Sequence, residues 1–339
     1  MSANGAFDAV ACCGAIVIAA EPLTIPLLRR LHAVDTPSGR SSHSVPTPRG
    51  GGLPIAVGLL GAVAITRGGP SAAFAAAIGF FGVLGFVDDL RGLPAVRRLA
   101  LQATGSAVVA GLLVLPTHRA VAGIVLAAGA ALWITGFVNA FNFMDGVNGI
   151  SGAHALIAGV AYACYAEWGQ HPFLLAASLA VAVGALMFLP WNAGRARVFL
   201  GDVGSYSLGA ALAVLAADAV LRGVPVEAVL GPLALYLADT AWTLQRRIRA
   251  GERWLQPHRT HVYQQWCDAG WSHQEVTLLT GALTVLLTAA GTVSLSRDLP
   301  ARAVADLIGV AVLVAYLCSP ALFRRLGLQW DPEWQGGSG

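Results

Sequence analysis

Asn139-Ala140-Phe141-Asn142-Phe143-Met144-Asp145-Gly146 ends an apolar stretch, 120–138, that contains no charged residue. A helix needs roughly 20 such residues to cross the hydrocarbon core of a bilayer. The stretch therefore reads as a membrane helix that runs straight into amides, a carboxylate and a turn glycine. Related arrangements lie elsewhere. Phe86-Val87-Asp88-Asp89 closes one apolar run, Phe199-Leu200-Gly201-Asp202-Val203-Gly204-Ser205 opens another, and Asp239-Thr240 sits late in a third. Carboxylates beside lipid are costly and usually serve function.

Composition points the same way. A soluble domain carries about 25% charged residues. This chain of 339 residues carries 12%, with 56% hydrophobic residues and a mean hydropathy of +0.66. About eleven spans follow, near 9–28, 51–67, 71–87, 100–115, 120–138, 151–167, 172–190, 204–221, 224–244, 275–294 and 303–323. Several are short and rich in Gly and Ala, which suits close helix packing. The expected fold class is all-α, a polytopic integral membrane protein with cytoplasmic active-site loops. A single transmembrane catalytic domain is expected over 1–335, with 336–339 (Gly-Gly-Ser-Gly) a linker remnant. The first span has Arg29 and Arg30 after it and no basic segment before it, so it reads as an anchor that stays in place.

Orientation follows from the 21 basic residues, all of them arginine. All but Arg67, Arg119, Arg222, Arg297 and Arg302 fall in alternate loops and after the last span. The positive-inside rule then puts the N-terminus outside and the C-terminus in the cytoplasm. Every acidic motif lies at the cytoplasmic face. A net charge of +3 does not suggest a nucleic-acid partner, and arginines at helix ends favour anionic membrane lipids. Cys12, Cys13, Cys164 and Cys318 lie in apolar spans and Cys267 in a loop, so neither an external disulfide nor a zinc site is expected.

The inner loops carry the chemistry. Thr47-Pro48-Arg49-Gly50-Gly51-Gly52 combines helix breakers with an arginine, and its glycine run offers backbone N–H groups for an anion. Thr47, Arg49 and Gly51 are its candidate substrate-binding residues. Asp88 and Asp89 are adjacent carboxylates, which stay ionised together only near cations or water. Asp145 lies in a turn before a helix N-terminus, a natural seat for phosphate, and Asp202 lies in a second such turn. Helix capping explains an Asp at either place, but not the Asn, Phe and glycines around it. A transporter or lipid flippase is the rival class. It would place ionisable residues and broken helices near the midplane, often in repeats, whereas here the acids gather at one face and no repeat is evident. A purely structural membrane protein would not need this set of turns.

In their order, Asp-x-Pro-x-x-Arg-x-x-His from Asp35, Pro46-Thr47-Pro48-Arg49-Gly50-Gly51-Gly52, Phe86-Val87-Asp88-Asp89-Leu90-Arg91-Gly92, the stretch 139–149, Phe199–Ser205, Asp239-Thr240 and His258-Arg259-Thr260-His261-Val262-Tyr263-Gln264 resemble the polyprenyl-phosphate N-acetylhexosamine-1-phosphate transferases, glycosyltransferase family 4. The likeness runs from about residue 35 to 274. It implies transfer of a sugar 1-phosphate from a UDP-N-acetylhexosamine to undecaprenyl phosphate, with release of UMP, at the bacterial inner (cytoplasmic) membrane. It also implies dependence on Mg²⁺, with Mn²⁺ as an alternative, and is consistent with a homodimer. By the same resemblance Asp202 is the metal ligand and Asn142 an additional oxygen ligand. Asp88, Asp89 and Asp145 are the catalytic carboxylates. Phe199 stacks on uracil, Asn192 is a polar nucleotide contact, and Arg259 and His261 lie near the sugar and diphosphate. Direct displacement is preferred over a covalent aspartyl-phosphate. One departure stands out: the family's last loop usually carries further histidines where this chain has Tyr263 and Gln264. That resembles the O-antigen-initiating branch and leads to an expected N-acetylated 6-deoxyhexosamine donor, with N-acetylglucosamine second.

Overall fold

The computed structural model describes residues 3–37, 45–66, 68–118, 120–252, 258–296 and 298–325. Arg40 and His43 of the first inner loop, Arg67, Arg119, Arg253 and Arg297, and the stretch 336–339 lie outside the described residues.

The described chain is almost wholly helical, as its apolar stretches require. Its helices are α1 (Ala3–Arg30), α2 (Leu53–Thr66), α3 (Ser71–Arg91), α4 (Ala95–Val114), α5 (Ala120–Met144), α6 (Ile150–Trp168), α7 (Pro172–Asn192), α8 (Gly201–Leu221), α9 (Val226–Leu230), α10 (Ala234–Arg249), α11 (Val262–Asp268), α12 (His273–Thr292) and α13 (Leu299–Arg325). Among the described residues seven helical segments are long and apolar enough to cross a membrane, and the shorter α2 is also apolar. The stretch read as one span over 224–244 is broken: α9 passes through a 3₁₀ turn at Gly231–Leu233 into α10. Pro232 explains the break, since it has no N–H to continue an α-helical ladder.

One element departs from all-helix. β1 (Val34–Asp35) and β2 (Thr47–Pro48) form a short antiparallel ribbon, pairing Val34 with Pro48 and Asp35 with Thr47. Arg49 then bridges in parallel to Phe199, so the ribbon leads the chain onto the segment before α8.

Helix α8 is the centre of the bundle, with 89% of its apolar window buried. Its sequence shows why: it is apolar or small on every side, the pattern of a helix enclosed by others. α3 and α5 pack most extensively against it, with α6, α7 and α2 also in contact. Small residues set the distance. A methyl group added at Gly85 of α3 would strike the Asp202 carbonyl, and one at Gly52 would strike the backbone of Gly204. α3 stops at Gly92, whose φ of 62° is left-handed and whose N–H donates to the Asp88 carbonyl over 2.8 Å. The Gly85 contact aligns the end of α3, with its paired aspartates, beside the first turn of α8.

Candidate active site

A cavity of about 830 Å³ opens where α3, α4, α5, α8 and α10 meet the ribbon and the 258–264 segment. Of the residues singled out above, Arg49, Asp88, Asn142, Asp145, Asn192, Phe199, Asp202, Arg259 and His261 line it. Thr47, Gly51 and Asp89 do not.

Asp202 is not in a free turn, as expected from its neighbours, but in the first turn of α8. Gly201 precedes it with a φ of +74°, a conformation costly for any side chain. The N-terminal donors of α8 are taken by Asp89, whose carboxylate accepts from Asp202 N–H over 2.8 Å and from Val203 N–H over 2.9 Å. Arg49 ties the two acids together, its Nε 2.7 Å from Asp89 Oδ1 and its Nη2 2.7 Å from Asp202 Oδ1. Asn142 Nδ2 donates to the same Asp202 oxygen and to Ser205 Oγ, each over 2.9 Å. Oδ2 of Asp202 makes no hydrogen bond among the described residues.

Asp88 and Asp89, read as one pair, therefore differ in place. The Asp89 side chain has no exposure and binds helix ends and Arg49, so a base or lipid-phosphate role for it finds no access. Asp88 lines the cavity, accepting from Leu93 N–H at 2.7 Å and from the Tyr206 hydroxyl at 2.8 Å, with Arg98 3.6 Å away.

The glycine run also reads differently once folded. Gly50 and Gly51 N–H both donate to the Phe199 carbonyl, over 3.1 and 2.8 Å, and Gly52 N–H to Leu200, over 2.8 Å. These groups are not available to an anion, so Gly51 is corrected from a substrate-binding to a packing position. A Cβ there would press on Val198 and Phe188. Thr47 is corrected likewise: it is buried in β2, with its hydroxyl on the Val45 carbonyl at 2.9 Å. What the loop contributes is Arg49, held out from the ribbon. Asn192 lines the cavity, but both ends of its amide are engaged, accepting from Gly149 N–H at 2.8 Å and donating to the Val198 carbonyl at 3.0 Å. That contact also occupies a donor just before α6, so the phosphate seat expected after Asp145 is partly filled from within.

Asp145 occupies the turn between α5 and α6. Burial pushes its carboxyl up to about 7, with Asp202 adding to the rise and Arg49 opposing it. Across the cavity, His261 holds its Nδ1 3.0 Å from Asp239 Oδ1 and stacks on His258, ring centroids 4.9 Å apart. Burial pushes His258 down to about 4. Arg259 lies 3.0 Å from Asp268. Tyr263 and Gln264 both line the cavity. The Tyr263 hydroxyl donates to the Phe143 carbonyl over 2.9 Å and accepts from Gln264 Nε2 over 3.1 Å.

Arg98 and Tyr206 join the site without having been singled out. Arg98 was visible only as one more inner arginine, and Tyr206 only as part of an apolar span. Nothing in the spacing of either points toward Asp88.

The sequence profile described as Glycosyl transferase family 4 matches residues 71–220, from α3 through α8, which carry both aspartates of α3 and Asp202. A decaprenyl-phosphate N-acetylglucosaminephosphotransferase of Mycobacterium tuberculosis is 31% identical over 91% of this chain and 86% of its own length. The chain belongs to glycosyl transferase family 4. Two further family members place the likeness. A probable undecaprenyl-phosphate N-acetylglucosaminyl 1-phosphate transferase of Bacillus subtilis is 28% identical over 78% of this chain and 77% of its own. A phospho-N-acetylmuramoyl-pentapeptide-transferase of Streptococcus pyogenes is 34% identical over 40% of this chain and 45% of its own. The family 4 cavity is thus built from the matched helices α3–α8 on one wall, and from α10 and the 258–264 segment on the other.

Proposed function

We propose that this protein transfers an N-acetylhexosamine 1-phosphate from a UDP-sugar to undecaprenyl phosphate, forming a lipid-linked diphosphate sugar and releasing UMP. One observation carries the reading: a single cavity joins exposed apolar side chains to a charged floor. Leu99 and Leu244, each more than a third exposed on the helical surface, line it beside Arg98, while Arg49, Asp202, Arg259 and His261 line it elsewhere. A lipid phosphate and a nucleotide diphosphate need such a meeting place, with cations to offset their repulsion.

The step itself is simple. An oxygen of the lipid phosphate attacks the sugar-bearing phosphorus of the donor, a new P–O bond forms, and the bond to UMP breaks with its electrons leaving on UMP. The acceptor phosphate is largely doubly ionised near pH 7, so no strong base is needed. Catalysis then rests on positioning and on charge neutralisation. Arg49 and Arg98 supply fixed positive charge, Phe199 offers a ring face for the base, and Arg259 and His261 offer donors to the diphosphate. Direct displacement is supported by the state of the aspartates of α3. Both carboxylates already accept hydrogen bonds, and Asp89 is enclosed, so neither is a free nucleophile. A trapped sugar-phosphoryl enzyme would overturn this.

Mg²⁺ fits the donor set. Among the described residues no group of His, Cys, Asp and Glu forms a protein-only cage. The site instead offers hard oxygen ligands, Asp202 with an unpartnered Oδ2 and the Asn142 amide, which suits an ion that takes one or two protein ligands plus phosphates and water. When bound, such an ion, or Mn²⁺ in its place, would neutralise charge on the donor diphosphate.

N-acetylglucosamine is the first donor to test, because the relatives similar over most of this chain are named for it. The 6-deoxy donor and the O-antigen pathway expected from Tyr263 and Gln264 rest on those two residues alone. The arginine-rich loops support a cavity at the cytoplasmic face of the inner membrane. The test is UMP release by purified protein with undecaprenyl phosphate, Mg²⁺ and a panel of UDP-N-acetylhexosamines that includes 6-deoxy sugars. Release that needs both lipid and metal supports the transferase, and the preferred sugar names the donor. No release from a folded sample with any donor refutes it.

A further inference from the structure

Asp239, on α10, is fully enclosed, yet its carboxylate gathers donors from three separate segments. Val262 N–H donates to Oδ2 at 3.0 Å, the Tyr316 hydroxyl of α13 donates to Oδ2 at 2.6 Å, and Thr243 Oγ1 donates to Oδ1 at 3.0 Å. Tyr263 N–H reaches Oδ2 at 3.5 Å, and His261 Nδ1 lies 3.0 Å from Oδ1. An ionised carboxylate only accepts, so this contact requires the ring proton on Nδ1. The opposite nitrogen, Nε2, is then the atom the ring can present elsewhere, and the ring lines the cavity. Its faces are hemmed in as well, by His258 at 4.9 Å, Tyr263 at 5.8 Å and Phe143 at 6.2 Å between centroids. Ring flips and the other tautomer would both break the Asp239 contact.

We propose that Asp239 is a positioning residue for the transfer: it fixes the tautomer and direction of His261 so that Nε2 meets the donor diphosphate, with Tyr316 bracing the carboxylate from the last helix. This rests on the function proposed above. A carboxylate that orients a histidine is a recurrent device where the far ring nitrogen does the work. Asp239 also receives the first N–H of α11, so the loop that carries His261 and the helix after it share one anchor. The link crosses 77 residues of sequence, from α10 to α13, outside the 71–220 segment that the family profile matches.

Asp239→Asn is the informative change. An amide keeps an oxygen for Val262 N–H and the Tyr316 hydroxyl while losing the charge that faces the imidazole. With UDP-N-acetylglucosamine and undecaprenyl phosphate, kcat is expected to fall roughly 10- to 100-fold, the range seen when such orienting partners are removed, with KM for the donor little changed. In a His261→Gln background the same change is expected to add no further loss, because the two act as a unit. Tyr316→Phe gives a smaller loss that also vanishes in that background, and so serves if Asp239→Asn fails to fold. Losses that multiply in the double variants, or a variant with wild-type kcat, overturn the positioning role while lipid-dependent release by the wild type leaves the proposed function standing. No release by the wild type overturns both.

Discussion

Asp89→Asn separates a holding role from a chemical one. The Asp89 carboxylate accepts two backbone N–H groups of α8 at 2.8 and 2.9 Å and meets Arg49 Nε at 2.7 Å. Asparagine keeps one acceptor oxygen and turns an NH₂ toward the other donor. One charge-assisted hydrogen bond is lost, worth about 1.5–3 kcal/mol, and a buried donor is left without a partner, at about 1–3 kcal/mol. The negative charge at the N-terminus of α8 adds about 0.3–1 kcal/mol. These contributions overlap, and the Arg49 side chain is 40% exposed, so solvent screens its share of the pair; we expect a loss of about 2–3 kcal/mol. The assay is thermal unfolding in detergent, run beside UMP release per folded molecule. The melting temperature should drop clearly, and activity should fall with the folded fraction. A variant as stable as the wild type but inactive would refute this reasoning and return Asp89 to the chemistry.

Asp202→Asn should abolish turnover while leaving the fold intact, because its Oδ1 contacts with Arg49 and Asn142 are at the cavity surface; Mg²⁺-dependent release at the wild-type rate would remove it from the site. Gly85→Ala should both destabilise the protein, by about 1–3 kcal/mol as overpacking does, and slow the reaction, since the new methyl presses on the Asp202 backbone; unchanged unfolding and kcat would show that α3 and α8 can part without consequence. Asp145 yields a pH prediction for the substrate-free and metal-free protein. Its carboxyl is raised to about 7, above an unfolded value of about 3.9, so the folded state binds this proton more tightly. The resulting stability is full at low pH and is lost as pH rises through about 7. Asp145→Asn should flatten that part of the curve of melting temperature against pH, and an unchanged slope would count against the burial.

The helices and the family were legible because long apolar runs and acidic turns are local patterns. Most of the expected apolar stretches fold as single helices, 224–244 being the broken one, and Arg49, Asn142, Asp145, Phe199, Asp202 and His261 do meet in one cavity. What escaped was the direction of backbone hydrogen bonds. Gly50, Gly51 and Gly52 look open in sequence, but carbonyls of Phe199 and Leu200, about 150 residues away, take their N–H groups. Asp88 and Asp89 look equivalent, yet neighbouring helix positions point about 100° apart, so one faces the cavity and the other the start of α8. Tyr316 is one tyrosine in an apolar span, and its meaning appears only when α13 lies against α10.

The seam between α3 and α8 has a consequence for biogenesis. Asp88 and Asp89 leave the ribosome well before their partners, the Tyr206 hydroxyl and the first N–H groups of α8. Until α8 arrives, arginines are what is at hand to offset two adjacent carboxylates at the edge of the bilayer: Arg49, made earlier and paired with Asp89 in the folded protein, and Arg91 and Arg98, made just after. Insertion of α3 and its locking are therefore separate events, and the chain becomes committed to its architecture when Gly201–Tyr206 closes on it. A chain stopped short of that point would expose an acidic helix end that quality-control proteases can recognise, which makes the middle of this protein, more than either terminus, the checkpoint of its assembly.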